Sequence, residues 1–153
     1  MSREAVATWC FALVVVRLGR RVLLVRERKH GQLWYLPAGR VEPGETFVQG
    51  ACREAFEETG VPITLEGVLR VEHSPRYDGS ARLRVFFAAR PSGDGAPKSV
   101  ADEHSLEARW VTLEELAALP LRGPEVAEVC RHVLAGGVVM PLAMLVAEGT
   151  PWP

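Results

Sequence analysis

Charge of one sign is what this sequence most clearly lacks. Its 153 residues carry 18 Lys and Arg against 19 Asp and Glu, a formal net charge of −1. So balanced a chain carries no electrostatic footprint for duplex nucleic acid or a membrane surface, and neither is expected as a partner. Cysteine is scarce. Cys10, Cys52 and Cys130 are widely spaced and odd in number, which argues against a disulfide framework and for reduced thiols in a cytoplasmic protein. The four histidines, His30, His73, His104 and His132, fall in no H-x-x-x-H or Cys-His pattern, so a zinc site is not expected. No charged n-region, apolar h-region and small-residue cleavage site open the chain, so export is not expected either. Internal repeats, low-complexity tracts and long linkers are also missing. The length fits one domain spanning residues 1–153, and about 68–70% of the unfolded surface is buried at that size.

Apolar patterning supplies the elements. A near-continuous run within Ala5 to Leu18 (Phe11-Ala12-Leu13-Val14-Val15-Val16) predicts a strand buried on both faces. Gly19 turns the chain into Val22-Leu23-Leu24-Val25, a hairpin partner. Leu33-Trp34-Tyr35-Leu36 follows, stopped by Pro37. Gly39, Pro43 and Gly44 mark a loop. From Thr46 to Thr59 the period becomes helical, with Val48, Ala51, Cys52, Ala55 and Thr59 on one stripe. Gly60 is the expected C′ residue, and Pro62 blocks continuation. Strands are expected again over Ile63 to Glu72 and Leu83 to Ala89, around a turn at Ser74 to Ser80, and at Arg109-Trp110-Val111. Thr112 and Glu115 have capping-box spacing, and Pro124 is placed to start a last helix running to about Ala135. The tail from Gly136 is apolar without a clear period. Strands, helix, strands, helix is the order of an α+β or α/β/α layered domain.

The helix Thr46–Thr59 is locally wrong for a helix. Glu54, Glu57 and Glu58 spread over roughly 100° of one face. Glu54 and Glu58 are like charges at i, i+4, and all three stand near the C-terminal end, where the helix dipole disfavours negative charge. Arg53 can relieve Glu57 at i, i+4 but leaves the others. A solvated acidic face is one reading. A bound hard divalent cation, which takes oxygen ligands, is the other.

The wider spacing bears on that choice. Gly39, Glu45 and Arg53 precede the acidic helix in the order G-x5-E-x7-R-E-U-x-E-E-x-G-U, with Ala55 and Val61 at the apolar U positions. This resembles the Nudix box of the MutT/Nudix hydrolases at every defined position from Gly39 to Val61. Trp34-Tyr35-Leu36-Pro37-Ala38-Gly39 is similar to the family's entry to the box, with Ala38 where a second glycine is common. The resemblance implies an α/β/α sandwich with a mixed sheet between helices, and Mg²⁺-dependent cleavage of a diphosphate linkage, with Mn²⁺ as a substitute. It implies that Glu57 and Glu58 ligate the metal and that Glu54 is a further ligand or the general base. Arg53 would orient the glutamates, most directly Glu57. Glu45 would hold the loop to the helix or join the metal shell. The carbonyl of Ala38 would offer another oxygen, and Gly39 would permit a tight loop. Glu103 is the candidate for an additional loop carboxylate, against the alternative of a solvated acid. His104 is read as a surface residue.

The substrate is less constrained. The run Trp34 to Thr46, with Phe86 to Pro91, is similar to a subgroup acting on oxidised purine nucleoside diphosphates such as 8-oxo-dGDP. ADP-ribose or a dinucleoside polyphosphate is the alternative, and a non-catalytic sensing or interaction domain is the alternative of another class. Trp34, Tyr35, Tyr77 and Phe87 are candidates to stack a base, with core packing as the competing role for each. Arg28, with Lys29, Arg76, Arg82 and Arg84, is a candidate for phosphate, with an isolated surface cation as the competing role. Family members often pair, so a homodimer is conceivable. The tail Val138 to Val146 is open as buried strand, helix or interface.

Overall fold

A computed structural model describes residues 3–153. Its framework is a seven-stranded mixed sheet in the order β3-β2-β1-β6-β5, built from β1 (Thr8–Leu18), β2 (Arg21–Arg26), β3 (Trp34–Tyr35), β5 (Ile63–Pro75) and β6 (Ala81–Pro91). Two short strands join off that path: β4 (Ala38–Arg40) pairs β1, and β7 (Glu107–Val111) pairs β2. β1 and β6 run parallel over nine residue pairs from Thr8↔Ala81 to Val16↔Ala89. The β1–β2, β1–β4, β2–β3, β2–β7 and β5–β6 pairings are antiparallel. β1 begins at Thr8, three residues later than the apolar composition suggests, and Ala5 to Ala7 are exposed.

The apolar run of β1 is continuous because both faces of the sheet are covered. Leu13 and Val15 face a cluster that includes Leu24, Leu116, Val126 and Cys130. Ala12, Val14 and Val16 face the opposite cluster with Leu23, Ala51, Val85 and Phe87. The first layer is supplied by α2 (Leu113–Ala117) and α3 (Pro124–Leu134), the second by α1 (Phe47–Thr59). Thr46 is the N-cap of α1 rather than its first helical residue. Its side chain accepts from the Gln49 N–H at 3.1 Å, while Gln49 Oε1 accepts from the Thr46 N–H at 2.9 Å. The expected box at Thr112 and Glu115 forms likewise on α2. Along the α1 stripe Ala51, Ala55 and Thr59 are buried, whereas Val48 and Cys52 are half-buried. Gly60 ends α1 at φ 73° with its N–H on the Phe56 carbonyl.

Three expectations need correction. Ala38 and Gly39 lie in a strand, β4, not in a loop. β5 runs to Pro75 and β6 starts at Ala81, so the turn occupies only the residues between them. The tail is neither a regular strand nor a helix. Met140 exchanges two backbone hydrogen bonds with Val68 (2.9 and 2.8 Å), at the place where Gly67 has no Cβ to meet the Met140 carbonyl. A 3-10 turn at Leu142–Met144 then sets Leu142 and Leu145 against the α1-side core. The tail is a strap over β5. No helix among the described residues is long and apolar enough to cross a membrane.

Candidate active site

Arg53 organises the acidic face of α1. Its Nε donates to Glu45 Oε1 at 2.6 Å and its Nη2 to Glu45 Oε2 at 3.0 Å and to the Arg40 carbonyl at 3.0 Å. Its Nη1 reaches Glu54 Oε1 at 2.8 Å and Glu57 Oε2 at 3.1 Å. Glu45, not Glu57, is thus its tightest partner. The paired guanidinium holds the Glu45 carboxyl below the usual carboxylate range. In turn the Glu45 hydrogen bond, ahead of Glu54, raises the pKa of Arg53. Since Glu45 also accepts from the Glu42 N–H at 2.9 Å, it ties the loop after β4 to the helix.

Glu54 and Glu58 are in the opposite condition. Burial raises the Glu54 pKa against the pull of Arg53. Burial raises Glu58 well above the ordinary value, and the charges of Glu54 and Glu27 add to the rise. One neutral donor opposes it, the Ala38 N–H on Glu58 Oε2 at 3.0 Å. The β1–β4 register explains why that donor is available. Val14 bonds to Pro37 and Val41 to Cys10, so the intervening Leu13↔Ala38 pair is a non-hydrogen-bonded one. Both the N–H and the C=O of Ala38 therefore turn away from β1. Gly39 leaves room for the Glu54 carboxyl, which a Cβ there would displace. The tight-loop role expected of this glycine is replaced by a cradle for a carboxylate.

These groups open into a cleft of about 720 Å³, within the size of small-molecule sites. Ala38, Gly39, Glu54 and Glu58 form one side; Tyr35, Arg84 and Arg122 contribute elsewhere, with Glu27, Arg28 and Glu103 also lining it. Tyr35 Oη hydrogen-bonds Glu125 Oε1 at 3.1 Å and accepts from Arg84 Nη1 at 3.3 Å. Burial, then Glu125, raises the pKa of that phenol. Arg84 is otherwise engaged by Glu72, through Nε at 2.8 Å and Nη2 at 2.6 Å. A second groove of about 640 Å³ is lined by Trp9, Val41, Phe47 and Leu145 among others. Loop residues Glu42 and Glu45 line it, and it has no lining residue in common with the first cleft.

The other expected site residues divide. Arg28 lines the cleft with its Nη1 on the Asp102 carbonyl at 2.8 Å. Glu103 stands at the cleft largely exposed, 3.5 Å from His104 Nε2. Glu57 is drawn aside by Arg53 and lies 3.8 Å from His104 Nδ1. Trp34 and Phe87 are not base platforms: both are core side chains, 4% and 0% exposed, and Arg109 covers the Trp34 ring. Tyr77 is fully exposed at the tip of the β5–β6 hairpin, outside the cleft. Sequence reading missed Glu27, Arg122 and Glu125 and placed at the surface His104, which lines the cleft. Spacing carries no signal for any of them, since each comes from a different segment and meets the site through the sheet.

Residues 8–132 match the NUDIX domain family. The chain belongs to the Nudix family. The Nudix domain is 39% identical over 122 residues to the 8-oxo-dGDP phosphatase NUDT18 of Homo sapiens, covering 76% of this chain and 36% of that protein. The chain thus spans about a third of that relative's length. It is 36% identical over 124 residues to the phosphatase NudJ of Escherichia coli, covering 80% of each. Among solved structures, a NUDIX hydrolase from Nitrosomonas europaea superposes with a TM-score of 0.75 at 26% identity, covering 94% of this chain and 99% of that one.

Nudix hydrolases generally use divalent metal ions. The donor set of this Nudix site fits one. It offers hard oxygen donors, two carboxylates held above their ordinary pKa by burial, and a backbone carbonyl turned off its sheet partner. Among the described residues no three His, Cys, Asp or Glu side chains close into a ready cage.

Proposed function

We propose that this chain is a divalent-cation-dependent hydrolase of the diphosphate linkage in nucleoside diphosphate derivatives, with 8-oxo-purine nucleoside di- or triphosphates as substrates. The observation that carries it is the under-neutralised pair Glu54 and Glu58, facing a cleft that also carries a phenol and guanidinium groups. Glu54 shares Arg53 with Glu45 and Glu57, and Glu58 has no salt bridge among the described residues. In this reading Glu58 and Glu57 hold Mg²⁺, or Mn²⁺ in its place, with the Ala38 carbonyl as a further oxygen. Glu54 completes that shell or serves as general base. A divalent cation held there would supply charge neutralisation of the phosphates and would activate a water for attack. Arg53 keeps Glu54 and Glu57 in one orientation, and Glu45 keeps the loop against α1. Proton removal from the attacking water by a positioned carboxylate is worth about 10²–10⁴-fold.

The matches to phosphatases named for 8-oxo-dGDP and to NudJ support this substrate class. Arg28 and Glu103, at the cleft mouth, are assigned to phosphate binding and to the additional carboxylate. Residues 1–153 form one Nudix domain in this reading, working in the cytoplasm on small molecules, without duplex nucleic acid or membrane. The apolar tail is a candidate surface for a homodimer.

A panel of 8-oxo-dGDP, 8-oxo-dGTP, ADP-ribose, diadenosine polyphosphates and a nucleotide sugar, assayed with Mg²⁺ and with Mn²⁺, tests it. Selective, EDTA-sensitive turnover of the 8-oxo-purine nucleotides is expected. Turnover of ADP-ribose or a dinucleotide alone would refute the substrate class but not the mechanism. No turnover of any member would refute the enzyme reading in favour of a sensing domain. In the same assay Glu103→Gln should slow turnover, and an unchanged rate would return Glu103 to a solvated loop.

A further inference from the structure

Arg122 is the cleft cation that combines a carboxylate partner, an aromatic ring beneath it and donors to spare; Arg82 and Lys29 also keep free donors but have no carboxylate partner among the described residues. It reaches the site from the loop between α2 and α3, where its N–H bonds the Trp34 carbonyl at 2.9 Å. Its Nη1 donates to Glu27 Oε1 at 2.8 Å, and its guanidinium lies over the Tyr35 ring, 4.7 Å from the centroid. The side chain stays 37% exposed, and its Nε and Nη2 donate to no protein group. Arg84, by contrast, has spent its donors on Glu72 and Tyr35. Glu27 holds Arg122 at a cost. Its second oxygen, Oε2, is the one buried side-chain nitrogen or oxygen among the described residues without a hydrogen-bond partner. A half-satisfied buried carboxylate beside Glu58 has a reason to persist if it fixes the guanidinium plane.

Tyr35 does not offer that ring face to a ligand, because Arg122 covers it. A flat guanidinium backed by an aromatic ring is itself a stacking surface for a nucleobase, and its outward N–H donors match the carbonyl oxygens of an oxo-purine, which adenine lacks. Phe11 and Leu13, which also line the cleft, are apolar, as a base site needs and a phosphate site does not. We propose that Arg122, positioned by Glu27, is the specificity-determining residue of the cleft and selects nucleobases presenting oxo groups over adenine. The proposal rests on the nucleotide reading above for the kind of ligand, and adds which base and which residue.

The test is binding without turnover. The affinities of 8-oxo-dGMP, dGMP, dAMP and inorganic pyrophosphate are measured by calorimetry on the full chain and on Arg122→Gln, Arg122→Lys and Glu27→Gln. The unsubstituted chain should prefer the oxo-purines to dAMP by about tenfold or more, the scale of one charge-assisted hydrogen bond. All three substitutions should reduce that preference to near unity while leaving pyrophosphate binding unchanged. Rescue by Arg122→Lys, or parallel loss for dAMP, dGMP and pyrophosphate, would make Arg122 a phosphate contact and overturn the proposal. So would equal binding of all three bases by the unsubstituted chain. If a variant fails to fold, the Arg122 Nε–H resonance of the unsubstituted chain supplies the same decision: it must shift with dGMP and not with pyrophosphate. A chain that binds oxo-purines selectively yet hydrolyses nothing would sink the enzyme reading and keep this one.

Discussion

The helices α1 and α3 cover opposite faces of one sheet and solve the same problem in different ways. α3 is self-sufficient. It has Pro124 at its first turn, Glu125 near the positive end of its dipole, and Arg131 with His132 near the negative end. α1 has no acid in its first turn and no base in its last. Its last carbonyls are served from outside: Lys98 Nζ donates to Glu57 at 2.7 Å, the Lys98 N–H to Thr59 at 2.8 Å, and Ser105 Oγ to Glu58 at 2.6 Å. Capping delegated to the loop between β6 and β7 leaves the last turns of α1 free to carry carboxylates. The difference teaches where this fold spends local stability. At its C-terminal end the helix that only packs carries its own cations, whereas the helix that faces the cleft takes a cation from a neighbouring loop.

The sharpest break in this comparison is Glu58→Gln. Turnover should fall by about 10²–10³-fold or more, the scale of losing one pre-placed charge stabiliser. In EDTA the melting temperature should hold or rise, because a neutral amide replaces a buried charge. A variant with full turnover, or one unfolded in EDTA, would refute the account of α1. Next in size is the borrowed cap. Lys98→Met should cost about 1.5–3 kcal/mol, as for a hydrogen bond to a charged group. The equivalent cation of α3, in Arg131→Met, should cost only about 0.3–1 kcal/mol. Urea melts of the two variants decide it, and equal costs would erase the contrast.

Packing should behave in the reverse sense. Val126→Ala on α3 removes two buried carbons at about 0.8 kcal/mol each, so stability should drop by about 1.5 kcal/mol with kcat unchanged. A fall in kcat would mean that α3 also shapes the reacting centre. The smallest effect concerns Asp102, which Lys98 and the N–H groups of His104 and Ser105 hold down at about 2. Its folded pKa lies below the unfolded value of 3.8. The pair therefore contributes stability above pH 3.8, lost as pH falls through about 2. Asp102→Asn should flatten acid unfolding in that window. Partial exposure keeps the effect modest.

Much of this was legible in the linear order of residues. The apolar run from Phe11 to Val16, the stripe through Ala51 and Ala55, the Gly60 stop, and the boxes and Pro124 start of α2 and α3 are local matters of period and capping. The spacing from Gly39 to Val61 picked out Arg53, Glu54, Glu57 and Glu58 for the same reason, since one helix and its preceding loop hold them all. Two of the aromatic candidates, Trp34 and Phe87, lie in the core, a distinction a sequence does not make because apolar rings look alike there. Only the pleat of β3 and β6 decides that Trp34 and Phe87 point into cores while Tyr35 lines a cleft.

Sequence alone thus determined the elements, the acidic helix and the family, because these rest on contacts between residues close along the chain. Tertiary structure alone decided that Gly39 makes room for Glu54 and that Lys98 caps α1. It alone brought Glu27, Tyr35 and Arg122 together across the sheet. Those contacts join residues tens of positions apart, and no periodicity encodes the register of strands that brings them into reach.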